Sequence, residues 1–405
     1  MEQPKKLDLI ALSSVPLVMT LGNSMLIPVL TLIEKELHIS SFQVSLIITV
    51  YSVVAILLIP IAGYLSDRWG RKIVILPCLI IAGAGGAISG WAAWKFSDPF
   101  FLILMGRVLQ GIGSAGAAPV VIPLIGDLFK KDEEVSAGLG LIETANTAGK
   151  VLSPIIGAFL ASFIWFLPFW FIPFFSLISV LLVLFLVKSP KKKEETQSVK
   201  EFFHCVKDVL AKHGRWLYAI FATGCLVMFI LFGILFYLSE TLEKQYNIDG
   251  IKKGFMLAIP LLALSISSFA AGKKIGKDKH LMKVLLVYGM AILSLSFTAI
   301  RIQHSFFFLF SFLILSGVGI GIALPCLDAL ITEGVEKDQR GTITSFYMSM
   351  RFIGVAAGPP VYAAVMAQSE HMIYYISIIV SLITLLIVLF LIKPGKEKEH
   401  SVKPT

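Results

Sequence analysis

Read only for where polar and apolar residues fall, the chain is a succession of long apolar runs divided by short polar breaks. About twelve runs can be drawn, over 8–33, 42–65, 73–94, 99–127, 136–161 and 165–187, then 216–239, 253–273, 281–301, 305–333, 341–366 and 371–393. Each is long enough for an α-helix to cross a hydrocarbon layer of ~30 Å, which takes roughly 20 residues. A membrane β-barrel would instead alternate apolar and polar positions in segments of about ten, and these runs are continuously apolar. The pattern predicts an all-α integral membrane protein with 12 transmembrane helices.

Composition removes the soluble alternative, because 57% hydrophobic and 15% charged residues with a mean hydropathy of +0.85 do not suit a chain dissolved in water. Charge then sets the expected orientation. With the amino terminus inside, 26 of the 35 Lys and Arg residues fall in cytoplasmic segments and 6 in outer loops, leaving Arg107, Lys150 and Arg351 within the membrane. Both termini are therefore expected in the cytoplasm. The net charge of +9 becomes a matter of topology, with no nucleic-acid partner implied. The apolar run after Lys5 and Lys6 continues to Ile33 without a cleavage site and reads as a retained first helix. Cys78, Cys205, Cys225 and Cys326 are scattered, without CxxC spacing or clustered His, so no metal site, cofactor or disulfide framework is expected.

The longest polar interval, 188–215, divides the chain into an amino-terminal bundle, 1–187, and a carboxy-terminal bundle, 216–393, with a tail at 394–405. Within the interval, KKKEE reads as solvated, and VKEFFHCVKDVLAKH spaces its apolar residues like a surface helix with a basic face. The second half echoes the first. An offset of 206 pairs Gly111 with Gly317, Gly113 with Gly319, Pro119 with Pro325, Asp127 with Glu333 and Pro154 with Pro360. An offset of 209 pairs Glu34 with Glu243, Lys35 with Lys244 and Gly63 with Gly272. Parallel six-helix pseudo-repeats suit a rocking transporter with its substrate held mid-membrane between the halves.

Between the second and third runs stands GYLSDRWGRK, with Gly63, Leu65, Asp67, Arg68, Gly70, Arg71 and Lys72 in a G-x-L-x-D-R-x-G-R-K arrangement. The fourth run carries Arg107, Gln110, Gly111 and Gly113 as R-x-x-Q-G-x-G, and the fifth carries Gly140, Gly149, Pro154 and Gly157. On these motifs the chain resembles the major facilitator superfamily, and in particular its 12-helix drug:proton antiporter branch. In the fifth run Ser153 stands where that branch has Gly before the proline. The resemblance implies the major facilitator fold, a cytoplasmic latch at Gly63–Lys72 that ties the halves together when the cavity opens outward, and export in exchange for protons.

Glu143, Asn146 and Lys150 are spaced i, i+3, i+7 and share a helix face. With Arg107 and Arg351 they place four formal charges in the membrane, at a cost of roughly 3 kcal/mol each before pairing, so a water-filled cavity is expected around them. Glu143 is the expected proton carrier, with Arg107, Lys150 and Arg351 completing the coupling set. Asn23, Asn146, Phe229, Phe232, Tyr347 and Met350 are the candidate cavity residues. The sequence has no G-x-x-x-x-G-K-[ST] loop and no catalytic constellation, so neither an ATP-driven pump nor an enzyme is expected. The reading is a monomeric, proton-coupled exporter of hydrophobic or cationic drug-like compounds, with the small-molecule substrate, protons and the lipid bilayer as partners. Transport of a small anionic metabolite or lipid, and a non-transporting receptor, remain alternatives.

Overall fold

The computed structural model describes residues 3–129, 132–188, 199–276, 278–300, 305–335 and 340–392. Lys130 and Lys131, the KKKEE run and the tail at 394–405 lie outside the described residues, as do the side chains of 199–213. The first span is a broken rod: α1 (Gln3–Ser24) is joined by a 3-10 turn at Ile27–Val29 to α2 (Leu30–Leu37). It is followed by α3 (Ser41–Trp69), α4 (Arg71–Lys95), α5 (Phe100–Leu128), α6 (Asp132–Ala161) and α7 (Leu167–Leu186). The second half contains α8 (Val199–Lys244), α9 (Gly250–Ile275), α10 (Lys279–Ile300), α11 (Phe306–Gly334), α12 (Arg340–Met366) and α13 (Glu370–Leu391). The seventh span and the end of the polar interval are thus one helix, continuous from Val199.

Local chemistry sets several boundaries. Ser40 and Gln43 form a reciprocal capping box that starts α3. Gly70, at φ +105°, turns the chain from α3 into α4 through a conformation that disfavours a side chain. Among the described residues ten spans are long and apolar enough to cross a membrane by length and composition. The other two rods, α6 and α12, carry Glu143 and Lys150, and Arg351. Polarity is therefore concentrated where the two halves meet, while α7 and α13 turn large apolar side chains such as Phe185 and Phe390 outward, as lipid-facing helices do.

The repeat reappears as packing. A methyl group on Gly111 of α5 would lie 2.5 Å from the Tyr51 carbonyl oxygen of α3, and one on its counterpart Gly317 of α11 would lie 2.5 Å from the Pro260 carbonyl oxygen of α9. Gly113 likewise meets α4 at Cys78, and Gly319 meets α10 at Gly289. These glycines permit backbone approaches that helices in lipid rely on, since lipid provides no hydrophobic drive for helices to associate.

The halves meet along α3 with α12 and along α6 with α9. The first seam includes a 2.8 Å hydrogen bond from the Thr49 hydroxyl to the Ala356 carbonyl and the approach of Gly63 to Ser345. The second closes at Gly254, where an added Cβ would sit 2.6 Å from the Pro154 carbonyl oxygen and 2.7 Å from the Ala158 Cβ. Towards the other end of α6, Gly140 has nothing within 4 Å of its Cβ position and Glu143 is exposed. Gly254→Leu is expected to force α6 and α9 apart and to lower stability by about 1–3 kcal/mol, as overpacking does. A thermal melt of the detergent-solubilised protein, with Gly254→Ala as the milder variant, checks this.

On the face away from the chain termini the halves are also clasped by charge. Lys35 reaches Glu243 at 2.5 Å and Lys244 reaches Glu34 at 2.9 Å. The two Glu-Lys pairs that the 209-residue offset relates therefore bind one another crosswise. Glu243 also takes a hydrogen bond from Thr31 and an ion pair from Lys253 at 2.6 Å, with Lys253 donating to Thr31 at 2.5 Å. Lys253 is one of the six cations that the sequence places in outer loops, yet its side chain is only 2% exposed, because it turns inward to Glu243.

Candidate functional site

Arg107, in the first third of α5, is wholly buried. Its Nε donates to the Ile47 carbonyl at 2.8 Å, its Nη1 to the Gly22 carbonyl at 3.2 Å and to Gln110, and its Nη2 to Asn23 Oδ1 at 2.7 Å. The guanidinium carbon lies 4.5 Å from the centre of the Tyr51 ring, whose hydroxyl meets Ser114 at 2.5 Å. Gly22 belongs to the last turn of α1, where a helix leaves carbonyls without intrahelical donors, so Arg107 supplies the donor that the break in the first span withholds. Asn23, offered by the sequence as a cavity residue, is occupied by this arginine. The site is a knot between α1, α3 and α5.

A second polar cluster spans both halves. Arg351 of α12 pairs with Asp328 of α11 at 3.2 Å, and its guanidinium carbon is 5.5 Å from the Tyr347 ring centre. Glu143 and Lys150 on α6 lie within electrostatic reach of this pair. The Asp328 side chain is 39% and the Arg351 side chain 12% exposed, so the pair lines open space instead of filling a sealed core. Glu143 accepts hydrogen bonds from Asn146 Nδ2 at 3.4 Å and Thr147 Oγ1 at 3.3 Å, and Asn146 Oδ1 accepts one from Thr20 at 2.7 Å. Among the described residues the Lys150 ammonium has neither a hydrogen bond nor an ion pair. The structure thus joins Glu143, Asn146, Lys150, Tyr347 and Arg351 and sets Arg107 apart.

Asp328 is the member that sequence reasoning missed. Its signal was available: it is a carboxylate inside the tenth apolar run, 305–333, whose other acid, Glu333, ends the run. Of the proposed cavity aromatics, Phe229 packs edge-on against Tyr362, with ring centres 5.7 Å apart, and Phe232 and Met350 pack against the main apolar core.

In the G-x-L-x-D-R-x-G-R-K stretch, Asp67 pairs with Arg71, and Arg71 also reaches Ser66 Oγ at 2.7 Å and Asp127 at 3.2 Å. Lys72 donates to the Leu184 and Val187 carbonyls at 2.8 and 2.7 Å, satisfying the carboxy-terminal end of α7. Arg68 is exposed. These charges bind α3, α4, α5 and α7 to one another, and Gly63, beside Ser345, is where the motif touches the second half. In α6, Gly149 lies against Leu17 and Thr20 of α1, and Gly157 against the Met25 backbone, so these two glycines seat α6 on the first span, while Gly140 touches nothing there.

Two six-helix sets with partly exposed charges between them, in a chain of long apolar helices, define a membrane transport protein. The chain belongs to the major facilitator superfamily, whose family model matches residues 12–359 and 278–405. It is a multi-pass transporter of the cell membrane, of the exporter kind, and not an enzyme. It is 65% identical over 97% of its length, and 98% of the relative's, to the bacillibactin exporter of Bacillus subtilis (strain 168). It is 28% identical over 85% of its length, and 84% of the relative's, to the multidrug resistance protein MdtG of Escherichia fergusonii. Among solved structures, the human organic anion transporter MFSD10 (TETRAN) superposes with a TM-score of 0.76 at 20% identity, covering 96% of this chain and all of that one. A bacterial homologue of the human lysosomal transporter Spinster, inward-facing and unoccupied, gives 0.75 at 15% identity over 96% and 97% of the two chains.

Proposed function

We propose that this protein exports a siderophore of the bacillibactin kind by alternating access, using the inward movement of protons. The observation that carries the reading is the 65% identity, over nearly the whole of both chains, to the bacillibactin exporter. The cluster of Glu143, Lys150, Asp328 and Arg351 supports it, because a ligand seated there touches α6 of one half and α11 and α12 of the other. Such a ligand is released when the halves rock apart on one face and close on the other. Glu143 and Asp328 are the proton-carrying groups in this scheme. The termini lie in the cytoplasm, which puts the Glu34–Lys244 clasp at the outer face, and the working unit is a monomer. The Gly63–Lys72 motif braces the first half at the inner face. The drug-export reading is weaker, since Lys150 and Arg351 stand beside both carboxylates and repel a cationic guest.

Deleting the gene in its own host and measuring bacillibactin by mass spectrometry, inside cells and in the medium, tests the proposal. Loss of the exporter is expected to leave the siderophore in the cells. The wild-type gene should restore secretion, and Glu143→Gln should restore less than about a tenth of the wild-type rate, as loss of an acid–base group commonly costs 10²-fold or more. Unchanged secretion in the deletion strain would sink the reading.

A further inference from the structure

The clasp on the outer face holds one acid that the transport scheme leaves unused. Glu240 of α8 is 2% exposed and lies apart from the mid-membrane cluster. Its Oε2 accepts from Lys244 at 2.6 Å, while its Oε1, equally buried, has no donor among the described residues. Within hydrogen-bond reach stands another acceptor, the Glu34 carboxylate of α2, which belongs to the other half. Glu34 itself accepts from Lys244 at 2.9 Å and from the Ser41 hydroxyl at 3.0 Å. The charges of the clasp are shared unevenly. Glu243 takes two ammonium groups, Lys35 and Lys253, so Glu34 and Glu240 are left to divide Lys244 between them. Two largely buried carboxylates on one cation carry a surplus negative charge, and when both are ionised there is no hydrogen to place between them.

We propose that Glu34 and Glu240 form a proton-binding site in the outer clasp, and that a proton shared between the two carboxyl groups holds the halves together on that face. With the proton bound, one carboxyl donates to the other across the seam and adds to the Lys244 bridge. Without it, two like charges meet there and a buried oxygen of Glu240 stays unpaired, so opening the face to water relieves both. The proton belongs to the pair, as it does wherever two carboxylates interact strongly. The other charged and titratable groups around Glu240 are Lys244 and, one turn along α8, Glu243, with Lys35 of α2 and Lys253 of α9 both bound to Glu243. One turn back, the Tyr237 hydroxyl meets that of Tyr374 of α13 at 2.7 Å. By linkage, a proton that bonds the closed face and not the open one favours closure, so closure is strongest at low pH and is lost as the pH rises. This proton comes from the outer medium and returns to it. It therefore sets how long the outer face stays open, separately from the protons that Glu143 and Asp328 carry across. The inference goes beyond the exporter reading and takes from it only which face is the outer one.

Double electron–electron resonance on the full-length protein in lipid nanodiscs, free of substrate, tests it. Spin labels go at Glu36 of α2 and Lys252 of α9, both exposed, on a cysteine-free background. At about pH 6 a single short separation is expected; at about pH 9 a longer population should grow by about tenfold, the effect of losing a charge-assisted hydrogen bond. Carboxylates in water stay ionised from about pH 6 to about pH 9, so they cannot supply the change. Glu240→Gln, whose amide donates to Glu34 at every pH, should stay short throughout. Glu34→Gln, which leaves Lys244 to a single carboxylate, should lose the pH response as well. Infrared difference spectra between the two pH values should show the C=O band of a protonated carboxyl, diminished in Glu240→Gln, which a purely structural role for Glu240 does not produce. Separations in the wild type that do not change with pH overturn the inference without any variant, and so does an undiminished pH response in Glu240→Gln. Because no substrate is present, the result stands whether or not deleting the gene leaves siderophore secretion unchanged.

Discussion

Arg107→Ala is expected to lower the stability of the protein by about 3 kcal/mol and to abolish transport. The arginine is wholly buried and donates to Ile47, Gly22, Gln110 and Asn23 on three different helices. Truncation orphans these acceptors, each worth ~1–3 kcal/mol when buried and unpaired, and leaves a cavity beneath the Tyr51 ring. Part of the loss is offset because a charge no longer has to be held out of water, which is why the net figure stays well below the sum. Arg107→Lys keeps the charge but cannot fork to Nη1 and Nη2 partners together, so it should recover less than half of the lost stability. The thermal midpoint in detergent should fall by about 5 °C for the alanine variant. An unchanged midpoint with transport lost would instead place Arg107 in the transport step itself.

Glu243→Ala should act on the balance of conformations more than on folding. Glu243 holds Lys253, Lys35 and Thr31, and the Lys253 side chain is 2% exposed. Removing the carboxylate leaves a buried ammonium uncompensated, which typically costs 3–5 kcal/mol. That cost applies only while the clasped face is closed, because opening it returns Lys253 to water. A bias of about 3 kcal/mol multiplies the open population by roughly a hundredfold. Spin labels at the exposed positions Glu36 and Lys252, on a cysteine-free background, should give one short separation in the wild type and a longer, broader distribution in Glu243→Ala. Lys253→Met should open the face far less, because it removes the buried charge itself and leaves Glu243 paired with Lys35. Identical distance distributions in all three would mean that the clasp carries no part of the closure.

The apolar runs alone located twelve spans, because a bilayer core leaves a chain few options: backbone groups must pair within each segment, and the segment must be long enough to cross. The glycine pairs at offsets of 206 and 209 were equally legible, since close helix contact in lipid demands small residues, and the protein uses Gly111 and Gly317 for matching approaches. Isolated charges such as Glu143, Lys150 and Arg351 stood out for the same reason of cost. Their partners did not. Asp328 joins Arg351 from another helix, and Arg107 takes carbonyls of Gly22 and Ile47 that no sequence pattern marks. Lys253 reads as a loop lysine in the sequence, and Glu243 draws it inward; the Glu34-Lys35 and Glu243-Lys244 pairs read as repeat evidence, and the fold adds that they bond crosswise. Sequence by itself determined which residues lie in lipid and which are too polar to face it. The tertiary structure decided which of those polar residues meet, because pairing depends on the register and tilt of separate helices, whether 23 residues apart in the chain, as Asp328 and Arg351 are, or 210, as Glu34 and Lys244 are.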